Sequence, residues 1–265
     1  MQSLNTIRGF VVDMDGVIWR DRELLPGAAA FFAYLKSRNL PYVFATNNST
    51  HTVEHYVELL NGFSIPVEPR QIVSSGSATA AYLAERYPPG TRVYVVGHIG
   101  LKKTLQAYGF ILMDAPGITP EVVVSGIDRG FTYDKLKAAT THIRNGAVFI
   151  GTNGDHTFPV PGGLAPGAGS ILAAIEAATD TRPVIIGKPE KPMFEISLQR
   201  LGTRPEETLM IGDRIETDIE GAQNASMKTA LMLSGVAKQA DIINMNPAPD
   251  YVFENLAALL HAFGK

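Results

Sequence analysis

Short runs of adjacent apolar residues recur along the chain and alternate with segments whose apolar residues return every three or four positions. The short runs contain many β-branched residues and are typical of strands buried on both faces. They cover residues 10–12, 42–45, 71–73, 93–96, 122–124, 147–150, 184–186, 209–211 and 229–233. The longer segments predict helices over residues 27–38, 77–86, 133–144, 167–178 and 191–201. This alternation predicts an α/β fold with largely parallel sheets.

Small and polar residues cluster directly after most of the predicted strands. Examples are "DMDG" at 13–16, "TNNST" at 46–50, "GKPE" at 187–190 and "GDRIETD" at 212–218. In open α/β sheets, ligands bind in the crevice outside the carboxyl ends of the strands. We therefore expect one site that gathers residues from distant parts of the sequence.

Composition and charge narrow the class of protein. The chain has 265 residues, of which 45% are hydrophobic and 18% charged, and its net charge is -3. This composition is ordinary for a globular protein. The length suits one large domain or two smaller ones. The chain is mildly acidic and has no basic stripe, so no nucleic-acid partner is expected. Cysteine is absent, which excludes disulfides and thiolate chemistry. No apolar run approaches the ~20 residues that span a bilayer, so we expect no membrane partner and a cytoplasmic location.

Four of the strand ends carry groups that suit one reaction. In chain order they are Asp13 with Asp15, Thr46, Lys188, and Asp213 with Asp218. This order resembles the haloacid dehalogenase-like superfamily of phosphatases, whose motifs are a DxD strand end, a Thr or Ser strand end, a lysine and an acidic GDxxxxD strand end. The intervening segments "SGIDRGFTYDKLKAA", "GTNGDHTFP" and "APGAGSILAAIE" are similar to the cap domain of the NagD-like, p-nitrophenyl phosphatase branch. The resemblance covers essentially the whole chain.

The resemblance implies a Rossmann-like parallel-sheet core with an inserted α/β cap domain of the C2 type. The core is expected over residues 1–78 and 180–265, and the cap over residues 79–179. The implied activity is that of a Mg²⁺-dependent phosphatase that hydrolyses small phosphomonoesters through an aspartyl-phosphate intermediate.

A divalent cation suits this chemistry because the ester and the attacking carboxylate are both anionic. Mg²⁺ prefers octahedral coordination by oxygen, from one or two carboxylates with water and substrate phosphate. Asp13 and Asp213 fit as carboxylate ligands. The resemblance adds the backbone carbonyl of Asp15 as a ligand, and it implies that Asp218 contacts the metal through water or another ligand.

The catalytic residues implied by the resemblance are Asp13, Asp15, Thr46 and Lys188. Asp13 is expected to attack phosphorus, while Asp15 protonates the leaving group and then activates water, help typically worth about 10²–10⁴-fold. Lys188 supplies a compact positive charge. The expected phosphate-binding residues are Asp15, Gly16 through its backbone N–H, Thr46 through its hydroxyl, Asn47 through its backbone amide, and Lys188.

In the cap, Tyr133 and Phe158 are expected to face the substrate, a small phosphorylated metabolite. Sugar phosphates, nucleoside monophosphates, phosphoglycolate and pyridoxal phosphate are substrates of related families. NagD-like relatives often associate through their caps, so a homodimer through the cap is a further hypothesis. For Trp19, the only tryptophan, packing over the site and packing in the core are both open.

Two other functions stay open. An aspartyl phosphate can pass to an alcohol instead of water, which would make the protein a phosphotransferase or phosphomutase. The same groups can also bind a phosphometabolite without turnover, as a non-catalytic binding module. Dehalogenase chemistry of the same superfamily needs neither a metal nor a second acid, and the presence of Asp15 and Asp213 counts against it.

Overall fold

The computed structural model describes residues 4–21, 23–113, 118, 120–160, 162–243 and 245–263. The strands, numbered along the chain, are β1 (Gly9–Val12), β2 (Trp19–Arg20), β3 (Glu23–Leu24), β4 (Tyr42–Thr46), β5 (Ile72–Ser74), β6 (Arg92–Val96), β7 (Ile111–Leu112), β8 (Val122–Ser125), β9 (Val148–Gly151), β10 (Thr157–Val160), β11 (Gly163–Pro166), β12 (Val184–Ile185), β13 (Thr208–Gly212), β14 (Lys228–Met232) and β15 (Tyr251–Phe253). The α-helices are α1 (Ala28–Ser37), α2 (Val53–Gly62), α3 (Ser75–Ala84), α4 (Ile99–Ala107), α5 (Tyr133–Arg144), α6 (Ala168–Thr179), α7 (Lys191–Leu201), α8 (Gly221–Asn224) and α9 (Leu256–Phe263).

The chain divides into two compact units. The first contains Met1–Thr46, Glu54–Val73 and Lys188–Lys265, and the second contains Asn47–Val53 and Ser74–Gly187. The second unit therefore extends past the predicted cap segment of residues 79–179 at both ends. The predicted α/β fold class is confirmed, since each unit is built on a sheet of parallel strands with helices between them.

The first unit carries a six-stranded sheet in the order β15-β14-β13-β1-β4-β5. Strand β1 pairs in parallel with β13 on one side and with β4 on the other. Every residue of these three strands is buried, which explains their continuous apolar sequences. Because parallel strands end at the same edge of a sheet, the residues that follow β1, end β4 and follow β13 are neighbours. These residues are Asp13, Thr46 and Asp213.

Aromatic side chains pack one side of this central sheet against α1. The ring of Phe10 lies 5.8 Å from that of Phe31, and the ring of Phe32 lies 4.9 Å from that of Phe44. All four rings are fully buried. Burial of a phenylalanine side chain stabilises a fold by about 1.5–3 kcal/mol. This packing therefore holds β1 and β4 in place, and with them the residues at the ends of these strands.

The second unit has its own five-stranded sheet in the order β12-β9-β8-β6-β7, in which all the strand pairs are parallel. Helices α5 and α6 cover it with an apolar core that includes Val123, Phe149 and Leu172. Helix α5 begins at Tyr133 because the Thr132 hydroxyl accepts a hydrogen bond from the backbone N–H of Lys135, which caps the helix. An antiparallel hairpin, β10–β11, also belongs to this unit.

All nine predicted strands and all five predicted helices are present, with ends that shift by one or two residues. The hairpins β2–β3 and β10–β11 and the strands β7 and β15 were not predicted. Two residues are too few to show a period of two, and β10 and β11 contain prolines and glycine, which are rare in strands. Within the described residues, no helix is both long enough and apolar enough to cross a membrane.

Candidate active site

Asp13 lies directly after β1, where the backbone is still tied to the sheet. Its N–H donates to the carbonyl of Ile211 in β13 at 2.8 Å. Its side chain is buried, and Oδ1 accepts a hydrogen bond of 2.5 Å from Nζ of Lys188. Burial raises the pKa of Asp13 well above its usual range, and the charges of Asp218 and Asp213 add to this, while Lys188 opposes it. This carboxylate is therefore costly to keep ionised without a further cation.

Lys188 connects two of the predicted motifs. Its ammonium donates to Oδ1 of Asp13 at 2.5 Å, to Oδ1 of Asp218 at 2.6 Å and to the carbonyl of Ala45 at 3.0 Å. Only 2% of the residue is exposed. Burial by itself lowers the pKa of this ammonium, but the charges of Asp13 and Asp218 outweigh burial and raise it. Lys188 is therefore a permanent positive charge in the site.

Asp213 follows β13, and its two carboxylate oxygens have different surroundings. Oδ2 accepts the backbone N–H of Val236 at 2.7 Å. Oδ1 is buried and has no hydrogen-bond partner among the residues that the structure describes. Burial, followed by the nearby charge of Asp218, raises the pKa of Asp213 to about 6. A buried carboxylate oxygen without a hydrogen-bond partner is suited to bind a cation.

Asp218 projects from a π-helical segment, Ile215–Glu220, and both of its oxygens are occupied. Oδ1 accepts from Lys188, and Oδ2 accepts the backbone N–H groups of Asp213 at 3.2 Å and Arg214 at 3.1 Å. Gly212 makes room for this carboxylate, because a β-carbon at that position would lie 2.2 Å from the β-carbon of Asp218. Asp218 is suited to organise the site rather than to bind a metal directly.

Oxygen atoms of Asp13, Asp213 and Asp218, one from each, lie within 4.8 Å of one another. When all three are ionised, Lys188 offsets one negative charge and two remain. The residues fit Mg²⁺, a divalent ion that prefers oxygen ligands, because the unpartnered Oδ1 of Asp213 and the raised pKa values of Asp13 and Asp213 both indicate a need for added positive charge.

The turn after Asp13 requires glycine at position 16. Gly16 has a φ of +82°, and a β-carbon there would lie 2.3 Å from Oδ2 of Asp213. The N–H of Gly16, which was predicted to bind phosphate, donates to the carbonyl of Trp19 at 2.8 Å. The carbonyl of Gly16 accepts the hydroxyl of Ser234 at 2.8 Å. Gly16 thus brings the first motif close to Asp213.

The side chain of Asp15 is exposed, unlike the other acidic groups of the site. Its Oδ1 accepts a hydrogen bond of 2.8 Å from Nε1 of Trp19. Thr46 is buried at the end of β4 and forms a side-chain hydrogen bond with Tyr56. Burial raises the pKa of Tyr56, and the charges of Asp15 and Asp13 raise it further, so its hydroxyl stays protonated.

Three other predicted site residues belong to the second unit. Asn47 directly follows Thr46 in the chain; its Nδ2 donates to Oδ2 of Asp155 at 3.1 Å, and its carbonyl accepts Asn153 Nδ2 at 2.8 Å. Tyr133 begins α5 and is 78% exposed. Phe158 lies half-buried in β10. The contacts of Asn47 show how its backbone is fixed within this unit.

Several contributors to the site were missed from the sequence. These are the segment Ser234–Ala237, which contacts both Gly16 and Asp213, and Tyr56, which contacts Thr46. Trp19, for which packing over the site and packing in the core were both open, contacts Asp15. One signal was present, since the "SG" after the predicted strand 229–233 repeats the pattern of small residues at a strand end. Tyr56 carried no such signal, because tyrosine occurs more often as a packing group.

Comparison with known proteins finds a matching family and relatives that align with nearly the whole chain. A family model for haloacid dehalogenase-like hydrolases matches residues 10–111, and a second HAD-hydrolase-like model matches residues 185–259. The chain is 37% identical over 253 residues to the 5'-nucleotidase YutF of Bacillus subtilis, covering 96% of this chain and 97% of that protein. It is 35% identical over 262 residues to the acid sugar phosphatase of Staphylococcus saprophyticus, covering 99% and 100%. The solved structure of a 4-nitrophenylphosphatase from Thermotoga maritima matches with a TM-score of 0.91 and 37% identity, covering 98% of each chain.

Proposed function

Because the chain belongs to the haloacid dehalogenase-like hydrolases, and is a phosphatase of their NagD-like, p-nitrophenyl phosphatase branch, we propose that it hydrolyses small phosphomonoesters with Mg²⁺ through an aspartyl phosphate on Asp13. The observation that carries this proposal is the position of Lys188. Its ammonium joins Asp13 to Asp218, and oxygens of these two residues lie within 4.8 Å of an oxygen of Asp213.

The arrangement prepares Asp13 for attack on phosphorus. Lys188 holds Oδ1, and the hydrogen bond from the Asp13 N–H to Ile211 fixes the backbone. A bond forms between a carboxylate oxygen of Asp13 and phosphorus as the bond between phosphorus and the ester oxygen breaks. The positive charge of Lys188 also stabilises the phosphoryl oxygens during transfer.

Asp15 is the proposed acid and base. In the first step its carboxyl proton passes to the leaving ester oxygen, which departs as an alcohol. In the second step Asp15 takes a proton from water as that water attacks phosphorus, which releases phosphate and restores the Asp13 carboxylate. Its exposure suits both roles, since it must reach the leaving group and then water.

Asp13 and Asp213 are the proposed carboxylate ligands of Mg²⁺, with the backbone carbonyl of Asp15 as a third protein ligand. When bound, Mg²⁺ supplies charge neutralisation and orients the phosphate toward the nucleophile. Asp218 keeps Lys188 and the Asp213–Arg214 backbone in place through its three hydrogen bonds.

The remaining proposed contacts concern the phosphate and the leaving group. The Thr46 hydroxyl and the Asn47 backbone N–H are the proposed phosphate donors beside Lys188. Tyr133 and Phe158 are the proposed contacts to the leaving group. The relatives named 5'-nucleotidase and acid sugar phosphatase support nucleoside monophosphates and sugar phosphates as the first candidates. A homodimer through the second unit stays a prediction that light scattering at micromolar concentration tests.

The decisive experiment measures phosphate release from p-nitrophenyl phosphate, nucleoside monophosphates and sugar phosphates, with Mg²⁺ and with a chelator. We expect Mg²⁺-dependent release that is lost in Asp13→Asn and retained in Asp134→Asn, an exposed aspartate of α5 that serves as the matched control. Appreciable activity in Asp13→Asn would remove Asp13 as the nucleophile. Saturable binding without any release would favour a binding module, and diversion of phosphate to an added alcohol would favour a phosphotransferase.

A further inference from the structure

Trp19 contacts the side chain proposed as the acid and base. It is the only tryptophan of the chain, and its Nε1 donates a hydrogen bond of 2.8 Å to Oδ1 of Asp15. Only 6% of Trp19 is exposed, whereas Asp15 is exposed. An exposed aspartate has several rotamers of similar energy. The hydrogen bond from a buried and rigid ring therefore selects one orientation of the Asp15 carboxyl.

The fold holds Trp19 at both its backbone and its ring. Its carbonyl accepts the N–H of Gly16 at 2.8 Å, which closes the turn that carries Asp15. Strand β2 places it in a hairpin, where it pairs with Leu24 of β3. The indole ring packs against the ring of Phe63, with the centroids 5.9 Å apart. The backbone contacts and the packing of the ring thus together fix the position from which Nε1 donates.

We propose that Trp19 is a positioning residue that aims Asp15 at the leaving group, an inference that rests on the proposed function. An indole N–H only donates, so it must meet a lone pair of Oδ1. The proton that Asp15 transfers is then carried by Oδ2. Without Trp19, the carboxyl group turns freely, and the fraction of time in which Oδ2 reaches the ester oxygen falls.

The test uses two leaving groups that share a phenol ring and differ in their need for a proton. Phenol has a pKa of about 10, like the tyrosine side chain, and leaves poorly without protonation, whereas p-nitrophenol is a much stronger acid and leaves readily as its anion. Trp19→Phe keeps an aromatic ring against Phe63 and removes the N–H. We expect kcat/KM for phenyl phosphate to fall at least about 10-fold, and kcat/KM for p-nitrophenyl phosphate to change by less than about 3-fold.

Leu24→Ala is the matched control, because it changes the exposed neighbour of Trp19 in the hairpin and leaves both the N–H donor and its packing against Phe63 in place. It should leave the ratio of the two kcat/KM values unchanged. An equal loss with both esters in Trp19→Phe, or no loss with either, would overturn the proposal. The proposed function has its own readout, since it fails if the wild type releases no phosphate or if Asp13→Asn stays active.

A second measurement needs no turnover. Because Trp19 is the sole tryptophan, the tryptophan fluorescence of the protein comes from this one indole ring. The wavelength of its emission maximum depends on the hydrogen bond that Nε1 donates. Asp15→Ala removes the acceptor and should shift the emission maximum, whereas Asp134→Ala should not. An emission spectrum identical in Asp15→Ala and the wild type would also overturn the proposal.

Discussion

Gly235 lies so close to Asp213 that a β-carbon at position 235 would stand 1.8 Å from Oδ2 of that carboxylate. The next two residues hold Asp213 as well. Val236 donates its N–H to Oδ2 at 2.7 Å, and Ala237 donates its N–H to the Asp213 carbonyl at 3.0 Å. The loop after β14 therefore determines where the proposed metal ligand points.

Gly235→Ala should weaken the proposed metal site without touching a ligand. The added methyl group must displace Asp213 or the loop, and changes behind metal ligands typically cost about 10–100-fold in metal affinity. The Mg²⁺ concentration for half-maximal phosphate release should rise by about that factor. Gly62→Ala is the control, since a β-carbon there meets nothing within 4 Å. An unchanged Mg²⁺ requirement in Gly235→Ala would contradict the assignment of Asp213.

Lys188→Met should abolish phosphate release and destabilise the metal-free protein. Asp13 and Asp218 would stay buried after losing the ammonium between them. Breaking a buried ion pair by removing one partner typically costs about 3–5 kcal/mol. Urea unfolding in the presence of a chelator measures this change. The double variant Lys188→Met with Asp218→Asn should recover part of the loss, and a single variant as stable as the wild type would contradict the prediction.

The metal-free protein should become less stable as the pH rises from about 4 to about 6 through the titration of Asp213. Burial and the charge of Asp218 raise the pKa of Asp213 from 3.8 to about 6, so the folded state binds this proton more tightly than the unfolded chain. Stability gained from this proton is therefore present at low pH and lost above the folded pKa. The expected difference is on the order of 2–3 kcal/mol.

Urea unfolding with a chelator at about pH 4 and about pH 7 gives the measurement. Asp213→Asn has no such proton to lose, and its stability should depend less on pH than that of the wild type. Equal pH dependence in the two proteins would show that Asp213 titrates normally. Saturating Mg²⁺ should remove the effect, because a bound cation favours the ionised carboxylate.

Asp15→Asn should lower turnover by about 10²–10⁴-fold and leave the fold intact. The amide cannot supply the proton to the leaving oxygen or take one from water, although its oxygen still accepts from Trp19. Steady-state release of phosphate measures the loss, and circular dichroism checks the fold. Asp21→Asn is the control, because Asp21 is exposed and asparagine tolerates its φ of +49°. Turnover equal to the wild type in Asp15→Asn would exclude the acid and base role.

The sequence by itself determined nine of the strands, five of the helices and the motif positions of this protein. Strands such as β1 and β13 are continuous apolar runs, and helix α5 begins after a threonine cap; both are local patterns. The order of Asp13, Thr46, Lys188 and Asp213 along the chain also identified the reaction class. Such patterns are legible without coordinates because each arises from residues that are neighbours in sequence.

Only the tertiary structure decided which atoms meet. Lys188 reaches Asp13 across 175 positions of sequence, and Ser234 reaches Gly16 across 218. These contacts depend on the order in which β14, β13, β1 and β4 lie in the sheet. The hydrogen bond from the N–H of Gly16 to the carbonyl of Trp19 likewise came only from the structure. A hydrogen-bond partner is selected by distance in space, and that distance is set by packing that no local pattern encodes.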